Sequence, residues 1–170
     1  MRSVGSYCFY RLFYNCKSIS NCRSLTLPAT TLADGCYNYM FSGCSSLTQA
    51  PVLPAITLAD SCYSDMFSGC YNLNTIKLGY TGKFTDAPYN AFNNWVSGVA
   101  SSGTFYYNGS DTTTGVNAIP TGWTVIQIPR PELCFTAEEA NSTVGMEVVG
   151  DAAPKVSLEY STDGNTWSPF

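Results

Sequence analysis

The stretch DGCYNYMFSGC at residues 34–44 returns 26 residues later as DSCYSDMFSGC at residues 60–70. An internal repeat of this size narrows the possible folds sharply. One such unit cannot bury its apolar face alone and must be covered by its neighbours. Residues 27–52 align with residues 53–78 through Leu27/Leu53, Pro28/Pro54, Asp34/Asp60, Cys36/Cys62, Tyr37/Tyr63, Met40/Met66, Phe41/Phe67, Gly43/Gly69 and Cys44/Cys70. A weaker copy, SYCFYRLFYNCKSI at residues 6–19, puts Cys8 and Cys16 in the same cysteine columns.

Each column suggests a local role. Ser6, Asp34 and Asp60 precede the first cysteine by two residues, where a helix N-cap would satisfy orphan backbone N–H groups. Asn15, Gly43 and Gly69 precede the second cysteine, and these residue types tolerate the positive φ that closes a helix. Between them Cys36, Tyr37, Met40, Phe41 and Cys44 recur at i, i+1, i+4, i+5 and i+8, which reads as one helical stripe. The stretch SSLTQAPVLP then reads as a short strand bounded by Pro51 and Pro54. The expected fold class is therefore α/β: a leucine-rich-repeat solenoid, with a short strand and a short helix in each rung of about 26 residues. A C-terminal cap and a small all-β segment are expected to follow.

The LP-A-TLA-C-MF-GC-SL pattern resembles the BspA-like leucine-rich repeats of bacterial surface proteins. Residues 94–125, from NWVSGVASSGTFYYNG to AIPTGWTV, resemble the segment that follows the last repeat in that family. The resemblance implies a non-catalytic, cell-surface or extracellular adhesion module. Its implied partner is a host or bacterial surface protein or a glycan. The alternative reading is a receptor-binding or decoration protein of a bacteriophage or prophage, where repeats joined to β modules also serve as exposed fibres.

The expected organisation places repeat rungs at residues 1–78, a cap at 79–127, a linker at 128–132 and a partial immunoglobulin-like β-sandwich at 133–170. In the cap, Asp86 is expected to start a helix that Gly98 ends, with Phe92, Trp95, Val96 and Val99 as its apolar stripe. Tyr106, Tyr107 and Trp123 are expected to pack into the cap, with a ligand platform as their second reading. The two prolines of IPRPE mark the linker, and TDGN a hairpin turn beyond it. Both ends of the chain read as cut from a longer protein.

The cysteine spacing does not suit structural zinc, which takes pairs separated by two to four residues. Two cysteines eight apart on one helix would lie about 12 Å apart, and neighbouring helices about 8–10 Å apart. Both exceed the roughly 7 Å that a disulfide spans. Cys8, Cys16, Cys36, Cys44, Cys62 and Cys70 are therefore expected to be buried thiols, while Cys22 and Cys134 stay open.

Composition removes several function classes. The chain has no histidine, which excludes Ser-His-Asp and Cys-His catalysis. A net charge of −4 with scattered Lys and Arg argues against a nucleic-acid partner. No apolar run reaches the roughly 18 residues of a membrane span. No carboxylate pair converges in the way glycoside hydrolysis needs, so no catalytic, cofactor or metal residue is expected. Binding is expected at the columns that vary between rungs. On the strand these are Thr48, Gln49, Asn74, Thr75 and Lys77; on the expected helix, Tyr39 and its neighbours Tyr10 and Arg11. The strand set is favoured, because adjacent strands about 4.8 Å apart make a continuous surface.

Overall fold

The computed structural model describes residues 4–22 and 24–127, together with strand residues 159–160 and 168–169. No α-helix forms among them. The expected leucine-rich-repeat solenoid with a helix in every rung is thereby overturned. Residues 6–15, 34–43, 60–69 and 89–98 instead form four runs of successive tight turns.

Backbone torsions explain the substitution. Every fourth residue of each run has positive φ: Tyr7, Arg11 and Asn15; Gly35, Tyr39 and Gly43; Ser61, Asp65 and Gly69; Asn90, Asn94 and Gly98. A right-handed helix cannot continue through a left-handed residue. Hydrogen bonds show what replaces it. Alternate N–H groups turn back three residues, as in Asn38 to Gly35 (3.1 Å) and Met40 to Tyr37 (3.1 Å). The residues between them donate to the next run, as in Tyr37 to Cys62, Tyr39 to Ser64 and Phe41 to Met66, each 3.0 Å. From Gly35 to Cys44 every N–H is placed in this way. An α-helix keeps its N–H groups within itself, whereas here half of them join neighbouring segments.

The cap roles change accordingly. Asp60 does not close the start of its own segment; its Oδ1 accepts the N–H of Tyr89 in the next one, at 3.1 Å. Gly43 and Gly69 do have positive φ, 77° and 74°, but as the third left-handed position of a run and not as a helix stop. The helix expected after Asp86 is also absent. A 3-10 turn spans Phe84–Asp86, and residues 89–98 form the fourth turn segment. Ala91, Phe92, Trp95 and Val96 fill the places that Cys36, Tyr37, Met40 and Phe41 fill in the second, and all are buried.

Across from the turn segments runs a parallel sheet: β1 (Gln49–Leu53), β2 (Thr75–Leu78), β3 (Thr104–Tyr107) and β4 (Thr124–Ile126), in that order. The β1–β2 register shifts between Gln49 and Val52, where Pro51 has no N–H to offer. A bridge from Asn21 to Gln49 extends the pairing beyond β1. Leu53, Ile76, Leu78, Phe105 and Tyr107 point inward and are buried. They belong to one core with two columns of aromatic rings from the turn segments. In one, Phe9, Tyr37, Tyr63 and Phe92 follow one another at centroid spacings of 5.6, 6.0 and 5.8 Å. In the other, Phe13, Phe41 and Phe67 stack at 5.2 and 5.7 Å.

Residues 111–119 lie over the fourth segment. The Val96 N–H donates to the Val116 carbonyl at 3.3 Å. The Asn94 N–H donates to Asn117 Oδ1 at 2.7 Å, and Trp95 Nε1 to the Ala118 carbonyl at 2.9 Å. Asp111 anchors the loop by accepting from the N–H groups of Phe84 and Thr113, at 2.8 and 2.9 Å.

By contacts the chain forms two units, Met1–Arg130 and Pro131–Phe170. In the second, β5 (Glu159–Tyr160) pairs antiparallel with β6 (Ser168–Pro169). The rest of the expected immunoglobulin-like module, Cys134 included, lies outside the described residues.

Candidate binding surface

Side chains alternate across a strand, so the sheet turns one set inward and leaves the other outward. Register fixes the outward set as two rows. One runs Gln49, Thr75, Thr104, Thr124, and the other Val52, Lys77, Tyr106, Ile126. All eight residues are at least partly exposed. Lys77 places its ammonium 5.0 Å from the centre of the Tyr106 ring, within cation–π range. The face therefore offers a cation on an aromatic ring, flanked by aliphatic Val52 and Ile126 and bordered by hydroxyls.

The structure brings Gln49, Thr75 and Lys77 together on this face, with Thr48 and Asn74 at its edge. Two of the five already use their hydroxyls. Thr48 donates to the Ser20 carbonyl at 2.9 Å, and Thr75 to Asn74 Oδ1 at 3.1 Å. Tyr39 lies elsewhere, in the second turn segment. The Arg11 guanidinium stands 5.0 Å from the ring centres of Tyr10, Tyr14 and Tyr39. Burial, followed by the nearby Asp65, raises the Tyr39 hydroxyl above its ordinary range.

Tyr106 departs from its expected place in the cap packing: it lies on the outward face of β3, the position that the second reading, a ligand platform, needs. Its neighbours show why the three aromatics separate. Tyr107 is buried, with its hydroxyl donating to the Gly82 carbonyl at 2.6 Å. Trp123 is buried, with Nε1 donating to the Ala100 carbonyl at 2.7 Å. Alternation along β3 leaves Tyr106 outward, a signal readable once the strand is placed.

The cysteines divide by position in the stack. Cys36, Cys44, Cys62 and Cys70 are buried thiols, as expected, but Cys8 and Cys16 are exposed, because among the described residues the first turn segment has a neighbour on one side alone. Neighbouring rungs lie closer than the roughly 8–10 Å expected of separated helices, because these segments are hydrogen-bonded together. The described thiols nonetheless stand free. Burial pushes Cys36 and Cys70 up to about 12, and Cys44 and Cys62 to about 11. A nucleophilic cysteine needs the opposite shift. Cys44 and Cys70 spend their protons on the carbonyls of Phe13 and Phe41 in the preceding segment, at 3.0 and 3.1 Å. Cys22 is also buried, and desolvation raises its thiol.

The buried hydroxyls of Tyr37 and Tyr63 have no hydrogen-bond partner among the described residues. Among the described residues no helix is long and apolar enough to cross a membrane. No protein-family model matches the chain, and neither a curated protein nor a solved structure does.

Proposed function

We infer that the chain is a non-catalytic binding module that meets a surface protein or glycan through the outward face of its sheet. The observation that carries this reading is the row Val52, Lys77, Tyr106, Ile126. It is a side-by-side set of apolar and cationic groups with one aromatic ring, on a four-stranded parallel sheet. Tyrosine faces suit the apolar faces of sugars and the side chains of proteins alike, and a lysine beside one supplies charge at fixed geometry. A cell-surface setting follows from the resemblance of the repeats to BspA-like proteins.

The test is retention of the labelled chain on intact bacterial cells and on an array of surface glycans. A Lys77→Glu/Tyr106→Ala variant should lose at least about ten-fold in retention, as expected when a central anchor pair is removed. Its melting temperature should not move. Loss confined to an Arg11→Ala variant would transfer the site to the turn segments, and retention by neither surface would end the reading.

A further inference from the structure

In the first three turn segments each outward N–H group is given to a carbonyl of the next segment, as Ser61, Tyr63 and Asp65 give theirs to Tyr89, Ala91 and Asn93. The fourth segment has no such successor. Its Asn94 and Val96 donors are taken by the Asn117 side chain and the Val116 carbonyl. The N–H groups of Asn90 and Phe92, next in the same row, have no partner among the described residues.

Both of these residues line one cavity of about 210 Å³. Phe84 and Phe92, both buried, give it an apolar floor, and Asn90, Asn93 and Asn117 supply amide side chains. Tyr89, 74% exposed, borders it. Asn117 spends its Oδ1 on the Asn94 N–H at 2.7 Å, which leaves its Nδ2 as a further donor. No cationic side chain lines the cavity, and two carboxylates stand beside it. Asp60 Oδ1 accepts the Tyr89 N–H at 3.1 Å, and Asp86 Oδ1 accepts from the Thr85 hydroxyl at 3.2 Å. An anion would meet two like charges there and no counterion.

We propose that this cavity binds an N-acetylated hexosamine. The positions equivalent to Asn90 and Phe92 receive amide carbonyls in the other three segments, and the acetamido group brings an amide carbonyl. Its methyl group suits the floor of Phe84 and Phe92. Sugar hydroxyls donate and accept at once, as the three asparagine amides do. The apolar face of the sugar ring suits the exposed Tyr89 ring. The volume is below the roughly 300–1,000 Å³ of pockets for larger ligands, so the contact is limited to one sugar unit.

A polypeptide continuing the stack fits less well, because Val116 and Asn117 already fill the adjoining places at Val96 and Asn94. The site lies on the fourth turn segment and its covering loop, and it does not depend on the sheet face proposed above.

The test follows the amide resonances of Asn90 and Phe92 in the full isotope-labelled chain as N-acetylglucosamine is added, with glucose and sodium acetate as comparison probes. N-acetylglucosamine should shift both amides saturably. Glucose should bind at least about five-fold more weakly, as expected when a hydrogen bond is lost, and acetate should shift neither amide. Tyr89→Ala should weaken the sugar about ten-fold, as for loss of an aromatic anchor. Asn117→Asp keeps the Oδ1 that holds the Asn94 N–H but removes the Nδ2 donor, and should weaken it about five-fold. The Lys77→Glu/Tyr106→Ala variant should bind the sugar like the parent. Absence of a saturable shift at Asn90 and Phe92 overturns the proposal, as does glucose or acetate binding as tightly as N-acetylglucosamine. So does parent-like binding by both the Tyr89 and Asn117 variants. Shifts of the same amides on concentrating the chain without sugar also overturn it, because a second copy would then fill the donors.

Discussion

The two ends of the stack of turn segments are built from the same columns and meet solvent differently. At one end Phe92, Trp95 and Val96 are buried beneath residues 111–119, and the backbone donors of Asn94 and Val96 are satisfied by Asn117 and Val116. At the other end Tyr7, Tyr10, Leu12 and Tyr14 are exposed, beside a row of carbonyls that accept no backbone N–H among the described residues. The difference teaches that burial here is set by rank in the stack. A cysteine or large apolar residue is a core residue in the second segment and a surface residue in the first.

The largest effect that tests this contrast is truncation at the two ends. Trp95→Ala should destabilise by about 3–5 kcal/mol, as for a large buried aromatic. Leu12→Ala, at the open end, should cost under about 1 kcal/mol, as for a half-exposed side chain. Urea denaturation of both variants measures the ratio, and similar costs would erase the distinction between the ends.

Next in size is Gly43→Val in a sealed segment. A β-branched residue at a φ of 77° is strained, and its Cβ would run into the Asn15 side chain of the first segment. We expect a loss of about 2 kcal/mol or more. Gly115→Val is the control: its φ of 141° is also unfavourable, but its Cβ meets nothing within 4 Å. An equal loss at both would show that backbone strain alone accounts for the cost.

Tyr63→Phe acts in the opposite direction. Its hydroxyl is buried in the middle of an aromatic column without a partner among the described residues, so its removal should stabilise by about 1 kcal/mol. A loss of stability on calorimetry would mean that the hydroxyl holds a partner after all.

The smallest effect belongs to the loop over the covered end. Hydrogen bonds from the Thr113 hydroxyl and N–H, then from the Phe84 N–H, hold the Asp111 carboxyl below its ordinary value. A depressed folded pKa contributes stability above the unfolded value and loses it as pH falls through the folded one. Asp111→Asn should therefore flatten the acid limb of the melting temperature and leave the open end's thiol labelling unchanged. An acid limb identical to the parent would assign that titration elsewhere.

The sequence made the repeat, its core columns and its short strands legible, and missed the local conformation between the cysteines. The apolar pattern at i, i+1, i+4, i+5 and i+8 fits a helical stripe over two turns. It is in fact a strict four-residue period, which drifts by about 40° per step around a 3.6-residue helix. A second signal lay in the residues at the left-handed positions. Gly35 and Gly43, Asp65 and Gly69, and Asn90, Asn94 and Gly98 recur four apart or in multiples of four, and all are types that accept positive φ. Tyr7, Arg11 and Tyr39 interrupt that series and hid it. Even so, the destination of the alternate N–H groups depends on a neighbour some 26 residues away, which local propensity does not encode. The sheet face was legible for Gln49, Thr75 and Lys77 because β1 and β2 lie in the repeats. Tyr106 was legible as an aromatic of the cap or of a ligand platform, but its outward direction was not, because its strand lies past the repeats and has no second copy to set the alternation.

Equivalent left-handed residues in successive segments are separated by 28, 26 and 29 residues. That near-constant interval has a kinetic meaning. Joining any two neighbours closes a loop of nearly the same length, and loop-closure cost grows by about 0.6 kcal/mol per doubling of length. Direct pairing of the first and fourth segments would enclose about three times as much chain and gain no contact the native state keeps. Assembly by successive neighbours is therefore the low-cost route. The second and third segments, which have the shortest interval and whose core columns are all buried, form the natural nucleus, and the outer segments then add to it one loop at a time.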